Sequence, residues 1–380
     1  MLNPLLQKNE GRVIADGATF GAEAVADFTV GSFLAGEFHP RLWYADPRGG
    51  ITGNAGATVQ DGYVRVLIHN LAAEVGRNHV ADGYGPDAGP ILSHNARGLD
   101  LLRLSLDRPV LLPSLLRAVG PFNASALLAD MGGNSRTPGS QLVVFTGSVH
   151  PHPDIELGAT ILSHFGGRGI PKVTLQQRLE DVFPIYPQGG VVSDKVFGAS
   201  ARVTIPSAKS QLYVDMMTTD DHDLLKYAYQ ALVNEAVWIG GAKVTGLGAD
   251  ARTDLWVEGR RSGVRPYTHH AMRSGLTLDG RIIGDAMGPL GTGATAGVDW
   301  RGFRQTVSMS ATWERYSGAD RYDHAVGDDL VWRRVVDRPD ETRLRIQADW
   351  STDPGVRRVG ASMRVGYEHV NQTLFTGVSR

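Results

Sequence analysis

From Phe303 to Glu314 the side chains alternate strictly. Phe303, Gln305, Val307, Met309, Ala311 and Trp313 occupy one register, and Arg304, Thr306, Ser308, Ser310, Thr312 and Glu314 the other. An extended strand projects successive side chains to opposite faces, so this run builds one mostly apolar face and one polar face. The pattern returns at Arg343–Trp350, where Leu344, Ile346, Ala348 and Trp350 alternate with Arg343, Arg345, Gln347 and Asp349. It returns again where Val359, Ala361, Met363, Val365 and Tyr367 alternate with Arg358, Gly360, Ser362, Arg364, Gly366 and Glu368. Earlier, Phe197, Ala199, Ala201, Val203 and Ile205 oppose Gly198, Ser200, Arg202 and Thr204. Leu255 and Val257 sit between Arg252, Asp254, Trp256, Glu258 and Arg260.

Segments of about ten residues, separated by Gly, Pro, Asp and Asn turns, fill the chain as about sixteen strand candidates. They include Ala18–Gly31, Phe33–Asp46, Gly62–Gly76, Leu99–Arg108, Phe122–Met131, Gln141–His150 and Ile155–Phe165. Helical periodicity is confined to Val173–Val182 and Asp221–Leu232, which read as loop decorations. No charge run, low-complexity tract or composition shift marks a boundary, so residues 1–380 read as a single domain. The expected fold class is all-β: one large antiparallel transmembrane β-barrel of about 16–18 strands with small helical loop decorations.

Three features favour that barrel over a soluble sandwich or propeller, whose polar face meets bulk water. The segments match the roughly 9–11 residues of a tilted strand crossing the hydrocarbon. Aromatics stand near segment ends on the apolar register, as at Phe197, Phe303, Trp313, Trp350 and Tyr367. Glycine and arginine recur on the polar register, which suits a crowded lumen. Composition agrees: 47 glycines in 380 residues exceed the usual share, and no cysteine means no disulfide, thiolate metal site or cysteine nucleophile. The 38 basic against 40 acidic side chains offer no global field for nucleic acid. No window is apolar enough for a membrane-spanning helix. The start lacks the pattern of a signal peptide, and the last residues, Phe375–Arg380, lack an aromatic-ended strand, so the sequence is expected to lack a signal peptide and terminal strand or strands.

Chemical motifs are weak. His150 and His152 share a strand face, but Pro151 and Pro153 mark a turn. His269–His270 places neighbouring rings on opposite faces, and Asp220–Asp223 reads as an exposed acidic loop. Gly166–Gly169 and Gly288–Gly293 fit no phosphate-loop spacing, and there is no Gly-x-Ser-x-Gly elbow. Asp215, Asp254 and Glu258 could serve a glycosidase, but ion pairing in a lumen with Arg202, Arg252 and Arg260 accounts for them more simply. No catalytic residue, cofactor or metal site is expected.

An ordered series of blocks then suggests a family. Leu71–Asn78 with Gly76-Arg77, a glycine loop to Gly85, and Leu92-Ser-His-Asn-Ala-Arg97 come first. Leu111-Leu-Pro113, Val119–Phe122, Glu156–Gly158 and Phe165–Gly169 follow, then Gln211–Asp215 with Asp220-Asp221, and Asp254–Glu258. Tyr267-Thr-His-His270, Ser274-Gly275, Gly280-Arg281, Ile283-Gly284 and Gly288-Pro289 close the series. In this order the blocks resemble those of the capsule assembly proteins of the Wzi type, outer-membrane barrels with lectin-like behaviour. The sequence departs from the family pattern at Ala81-Asp82, Phe122 and Leu276, where aromatics are common. The positions matching family motifs are Gly76, Arg77, Asp215, Glu258, Tyr267, His270, Gly275, Gly284 and Gly288. The resemblance implies a non-enzymatic barrel of about eighteen strands in the bacterial outer membrane that binds or organises capsular or exported polysaccharide. Its partners would be that polysaccharide, outer-membrane lipid and a surface or export complex. A diffusion channel and a surface glycosidase are the alternatives. Sugar recognition needs aromatic faces beside polar groups, and Trp43, Tyr44, Tyr84, Tyr186, Tyr267 and Trp332 are the candidates.

Overall fold

The computed structural model describes residues 8–12, 18–46, 54–86, 89–135, 137–172, 174, 176–177, 192–219, 228–264, 266–269, 272, 275–318, 320–324, 330–334, 339–352 and 361–373. Its core element is one antiparallel sheet of eighteen strand segments. Two of these pairs are halves of single strands. Ala18–Glu23 and Ala26–Val30 line the same edge of one neighbour, and so do Leu99–Leu106 and Val110–Leu111. The wall therefore has sixteen staves.

The first eight are β1 (Ala18–Glu23 with Ala26–Val30), β2 (Leu34–Asp46), β3 (Asn54–Ile68), β4 (Leu71–Asn78), β5 (Leu99–Leu106 with Val110–Leu111), β6 (Pro121–Asp130), β7 (Ser140–His152) and β8 (Ile155–Gly166). The remaining eight are β9 (Ser193–Ile205), β10 (Ser210–Thr219), β11 (Val237–Leu247), β12 (Thr253–Ser262), β13 (Gly291–Gly302), β14 (Gln305–Tyr316), β15 (Glu341–Thr352) and β16 (Ser362–Asn371). Each pairs with the next in an up-and-down meander. Among the described residues no ladder joins β16 to β1. The sheet nevertheless wraps around: the loop between β4 and β5 reaches Asp215 on β10 and the loop between β12 and β13.

Connections alternate in length. Turns at 31–33, 69–70, 153–154, 206–209 and 303–304 close one end, whereas the connections at 79–98, 167–192 and 263–290 are long and sit at the other. That asymmetry is the signature of an outer-membrane barrel, with short turns on the periplasmic side and long loops outside.

The two faces of the wall are inverted relative to a soluble protein. Leu42, Val75, Val257, Met309, Trp313, Leu344, Ile346, Val365 and Tyr367 are exposed on the outer face. Arg41, Glu74, Asp215, Asp254, Glu258, Arg260, Thr312, Glu314 and Arg345 are buried on the inner one. Lipid, having no hydrogen-bonding capacity, takes the apolar face, and the closed ladder satisfies the backbone.

Most sequence-derived strands agree with the structure to within a residue or two, but Gly62–Gly76 is corrected. It is the hairpin of β3 and β4, turned at His69 and Asn70, with His69 in the left-handed region at φ 56°. The outward register shifts parity there, from Val64 and Ile68 to Leu71 and Val75, all exposed. Of the expected helices, Val173–Val182 lies almost wholly outside the described residues. The second is helical from residue 228, ending as the π-type turn Gln230–Glu235 ahead of β11.

Candidate functional site

Near the outer end, the inner face of the wall stops being polar. Leu99 and Leu101 on β5, Leu127 and Ala129 on β6, Leu142 and Val144 on β7, Leu162 on β8, Val196 on β9, Met217 on β10 and Val237 and Ile239 on β11 are all buried. These strands carry an apolar collar facing inward as well as an apolar face to lipid. Two loops fill it. Ile91, Leu92 and Ala96 come from 79–98, and Leu276, Leu278 and Ile283 from 263–290, packed with the wall into one core. Ile91 and Leu276 are fully buried, at 0% exposure. Gly198 on β9 makes room for this plug, because a methyl group there would meet the Ile91 side chain.

Polar contacts lock the loops together. The Ser93 amide donates to the Ile283 carbonyl at 2.8 Å, and its hydroxyl to the Gly284 carbonyl at 2.5 Å. Asn95 Nδ2 donates to the Ile282 carbonyl at 2.9 Å. Tyr267 is buried among them, donating its hydroxyl to the Pro90 carbonyl at 2.6 Å and accepting from the Asp285 amide at 3.0 Å. Burial raises that hydroxyl well above the usual phenol range. Within the first loop, Asp82 accepts the Leu92 amide at 2.7 Å. Burial, reinforced by the charge of Asp215, pushes its carboxyl up to about 7.

The wall holds the plug from below. Arg260 Nη1 donates to Asp285 Oδ1 of the plug at 3.1 Å, and the same guanidinium pairs with Glu258. Glu258 also accepts the Tyr213 hydroxyl at 2.7 Å. Asp215 accepts the Tyr84 amide at 3.2 Å. The two acidic motif positions, Asp215 and Glu258, are thus anchors for loops. Asp254 stands apart, taking the Gly246 amide at 3.0 Å with Lys243 and Arg301 beside it. The ion-pair reading of these carboxylates holds, each being occupied by its own partners.

The other motif positions serve backbone geometry. Gly76 has φ 132°, and a side chain there would strike the Gly62 carbonyl; Gly275 and Gly288 have φ 57° and 68°. A Cβ on Gly284 would collide with the Pro90 carbonyl and the Tyr267 ring. Arg77 shares the outward register of Val75 and makes a bidentate pair with Asp100 at 2.8 Å, outside the lumen. His270 lies outside the described residues.

The sugar-contact candidates scatter. Trp43 faces inward near the outer rim, lying against Gly56 of β3, whereas its neighbour Tyr44 points to the lipid side at 47% exposure and is corrected to a wall residue at the membrane boundary. Tyr84 is under the plug, with Arg202 stacked 4.8 Å from its ring centre and paired with Glu156. A cavity of about 190 Å³ opens there, lined by Arg103, Ser148, Glu156, Ser200 and Asp215. Tyr186 lies outside the described residues. Trp332 is on the outer hairpin strand Leu330–Arg334, and nothing further is described of it. His150 and His152 do not converge: one approaches Glu156 at 3.7 Å and the other Asp154 at 3.6 Å.

Sequence reasoning missed the plug itself. Its signal was present as apolar pairs inside glycine-rich loops, Ile91-Leu92 and Ile282-Ile283, which an exposed loop has no reason to carry.

Fold, inverted faces and one-sided loops define an outer-membrane β-barrel whose lumen is occluded by its own loops. The chain belongs to the capsule assembly protein Wzi family, whose model matches residues 1–376. Among solved structures it is similar to Escherichia coli Wzi, described as an outer-membrane protein involved in group 1 capsule assembly and a carbohydrate-binding β-barrel. The identity is 17% and the TM-score 0.65, covering 93% of this chain and 80% of that one. OccAB2 of Acinetobacter baumannii shares the barrel at 10% identity and TM-score 0.51, over 93% and 86% of the two chains. OccD3 of Pseudomonas aeruginosa does so at 10% and 0.50, over 93% and 82%. Comparison with curated proteins finds no match.

Proposed function

We propose that this protein is a non-enzymatic surface barrel that binds and organises capsular or exported polysaccharide on its outer loops. The observation that carries this reading is the plug. Two loops with a buried apolar core and reciprocal hydrogen bonds turn the lumen from a passage into a scaffold that fixes the outer surface. A rigid platform lowers the ordering cost of holding a flexible polymer. The carbohydrate binding described for E. coli Wzi supports the ligand class.

A channel reading predicts conductance through an open lumen, which the plug opposes. A glycosidase reading needs two carboxylates free to act on substrate, and Asp254 and Glu258 are each engaged by basic partners. Deletion of the gene with staining for cell-bound and released polysaccharide tests the proposal: retained polymer falls and released polymer rises. Unchanged retention overturns it.

A further inference from the structure

A second polar constellation lies on the inner face of β1–β3, away from the plug anchors. Glu37 and His39 are two residues apart on β2, so both face the lumen, and His39 is directly opposite Asp61 on β3. One ligand atom from each of the three lies within 4.8 Å of the others. We infer that Glu37, His39 and Asp61 form a binding site for a first-row divalent cation of the zinc class.

The state of the imidazole is the first argument. His39 Nε2 is 3.1 Å from Glu23, and Glu23 is itself held by Arg12 at 2.9 Å and Arg41 at 3.1 Å. Two guanidinium partners keep Glu23 a carboxylate, so the ring proton sits on Nε2 and donates to it. The Nδ1 lone pair then faces Asp61 Oδ2 at 3.5 Å, acceptor against acceptor. Metal-binding histidines are oriented in this way, by a carboxylate on the nitrogen that does not bind metal. The 3.5 Å separation is also about the edge of a tetrahedron with zinc–ligand bonds near 2.0–2.2 Å.

Charge is the second. Among the described residues no Lys or Arg pairs with Glu37 or Asp61. Asp61 is met only by His39 and by His79, whose Nδ1 lies 2.7 Å away, and Glu37 by the Tyr63 hydroxyl at 3.4 Å. Two carboxylates and one imidazole suit zinc, cobalt or manganese better than calcium, which takes oxygen ligands. Because the ligands come from adjacent paired strands, the wall presents them at fixed spacing.

The purified, folded barrel in detergent, stripped with chelator, is titrated with Zn²⁺ by calorimetry. One equivalent binds, with affinity reduced 100-fold or more in H39Q and D61N, about 10-fold in E23Q, which keeps the ligands but loses their support, and unchanged in H152Q. Heat-modifiable migration on gels verifies that each variant is folded. Cobalt substitution gives a visible d–d spectrum in the parent that E23Q shifts, which tests the site even if H39Q fails to fold. Absence of stoichiometric binding by the folded parent, or equal binding by folded H39Q, overturns the inference. It stands or falls independently of polysaccharide retention.

Discussion

The inner wall is two different surfaces. Along β5–β11 its outer end is an apolar collar, from Leu99 round to Ile239, pressed against loop residues that exclude water. Along β13–β16 it is a ladder of polar pairs. Thr295 and Thr312 share a hydrogen bond at 3.1 Å, Glu314 accepts the Tyr316 hydroxyl at 3.0 Å, and Arg345 reaches Glu368 at 2.7 Å. The first arc gains cohesion from area removed from water, which is non-directional and proportional to contact. The second gains it from pairings that must each be geometrically satisfied. One arc can therefore hold a plug, and the other holds only itself.

The largest test of that contrast is L276D together with L278D. Charged groups cannot sit in the collar, and each lost leucine costs about 2–5 kcal/mol before the charge is counted. The plug leaves, and planar-bilayer recordings show conductance that the parent lacks, while heat-modifiable migration of the barrel persists. Next is R260A, which strands Glu258 and Asp285 as buried carboxylates. Breaking such a network costs about 3–5 kcal/mol, read as a lower midpoint in urea. G284A drives a methyl group into the Tyr267 ring and the Pro90 carbonyl, a cost of about 1–3 kcal/mol; G133A, which meets open space, stays within about 0.5 kcal/mol of the parent.

A pH effect belongs to the plugged arc alone. The Asp82 carboxyl is raised from the usual carboxylate range to about 7, so the folded plug holds a proton that the released loop loses near 4. Plug stability is therefore greatest in mild acid and falls as pH rises toward 7, flattening above it. Hydrogen exchange of loop amides at pH 5 and 7.5 reports this difference, and D82N removes it. The smallest effect is on the polar arc. T312V gives up one hydrogen bond and costs about 1 kcal/mol in the same urea titration.

The same contrast explains what was legible in the sequence. Where the inner face is polar, as at Thr312 and Glu314 against Met309 and Trp313, period two is clean and the strands of β14, β15 and β16 are plain. Where collar and lipid are both apolar, alternation blurs into runs such as Leu99–Leu102 and Leu127–Ala129, and only turn residues delimit the strands. The motif positions were visible as identities but not as roles. Asp215 and Glu258 looked like members of a binding or catalytic set, and proved to be anchors because the groups they hold come from loops more than a hundred residues away in sequence for one and from a facing strand for the other. The Glu37, His39 and Asp61 cluster was hidden for a related reason: it depends on which residue of β3 stands opposite His39, a register that no local pattern records.

Tyr267 and Pro90 are 177 positions apart, and Ser93 and Gly284 are 191. Contacts of such span cannot form until the intervening strands are in place, so loop closure delays them to the end of assembly. The barrel thus passes through a stage in which most of its wall stands and its outer mouth is still unsealed. A cell making this protein inserts a transient leak before it has a finished scaffold, and the rate at which the loops lock sets how long the leak lasts.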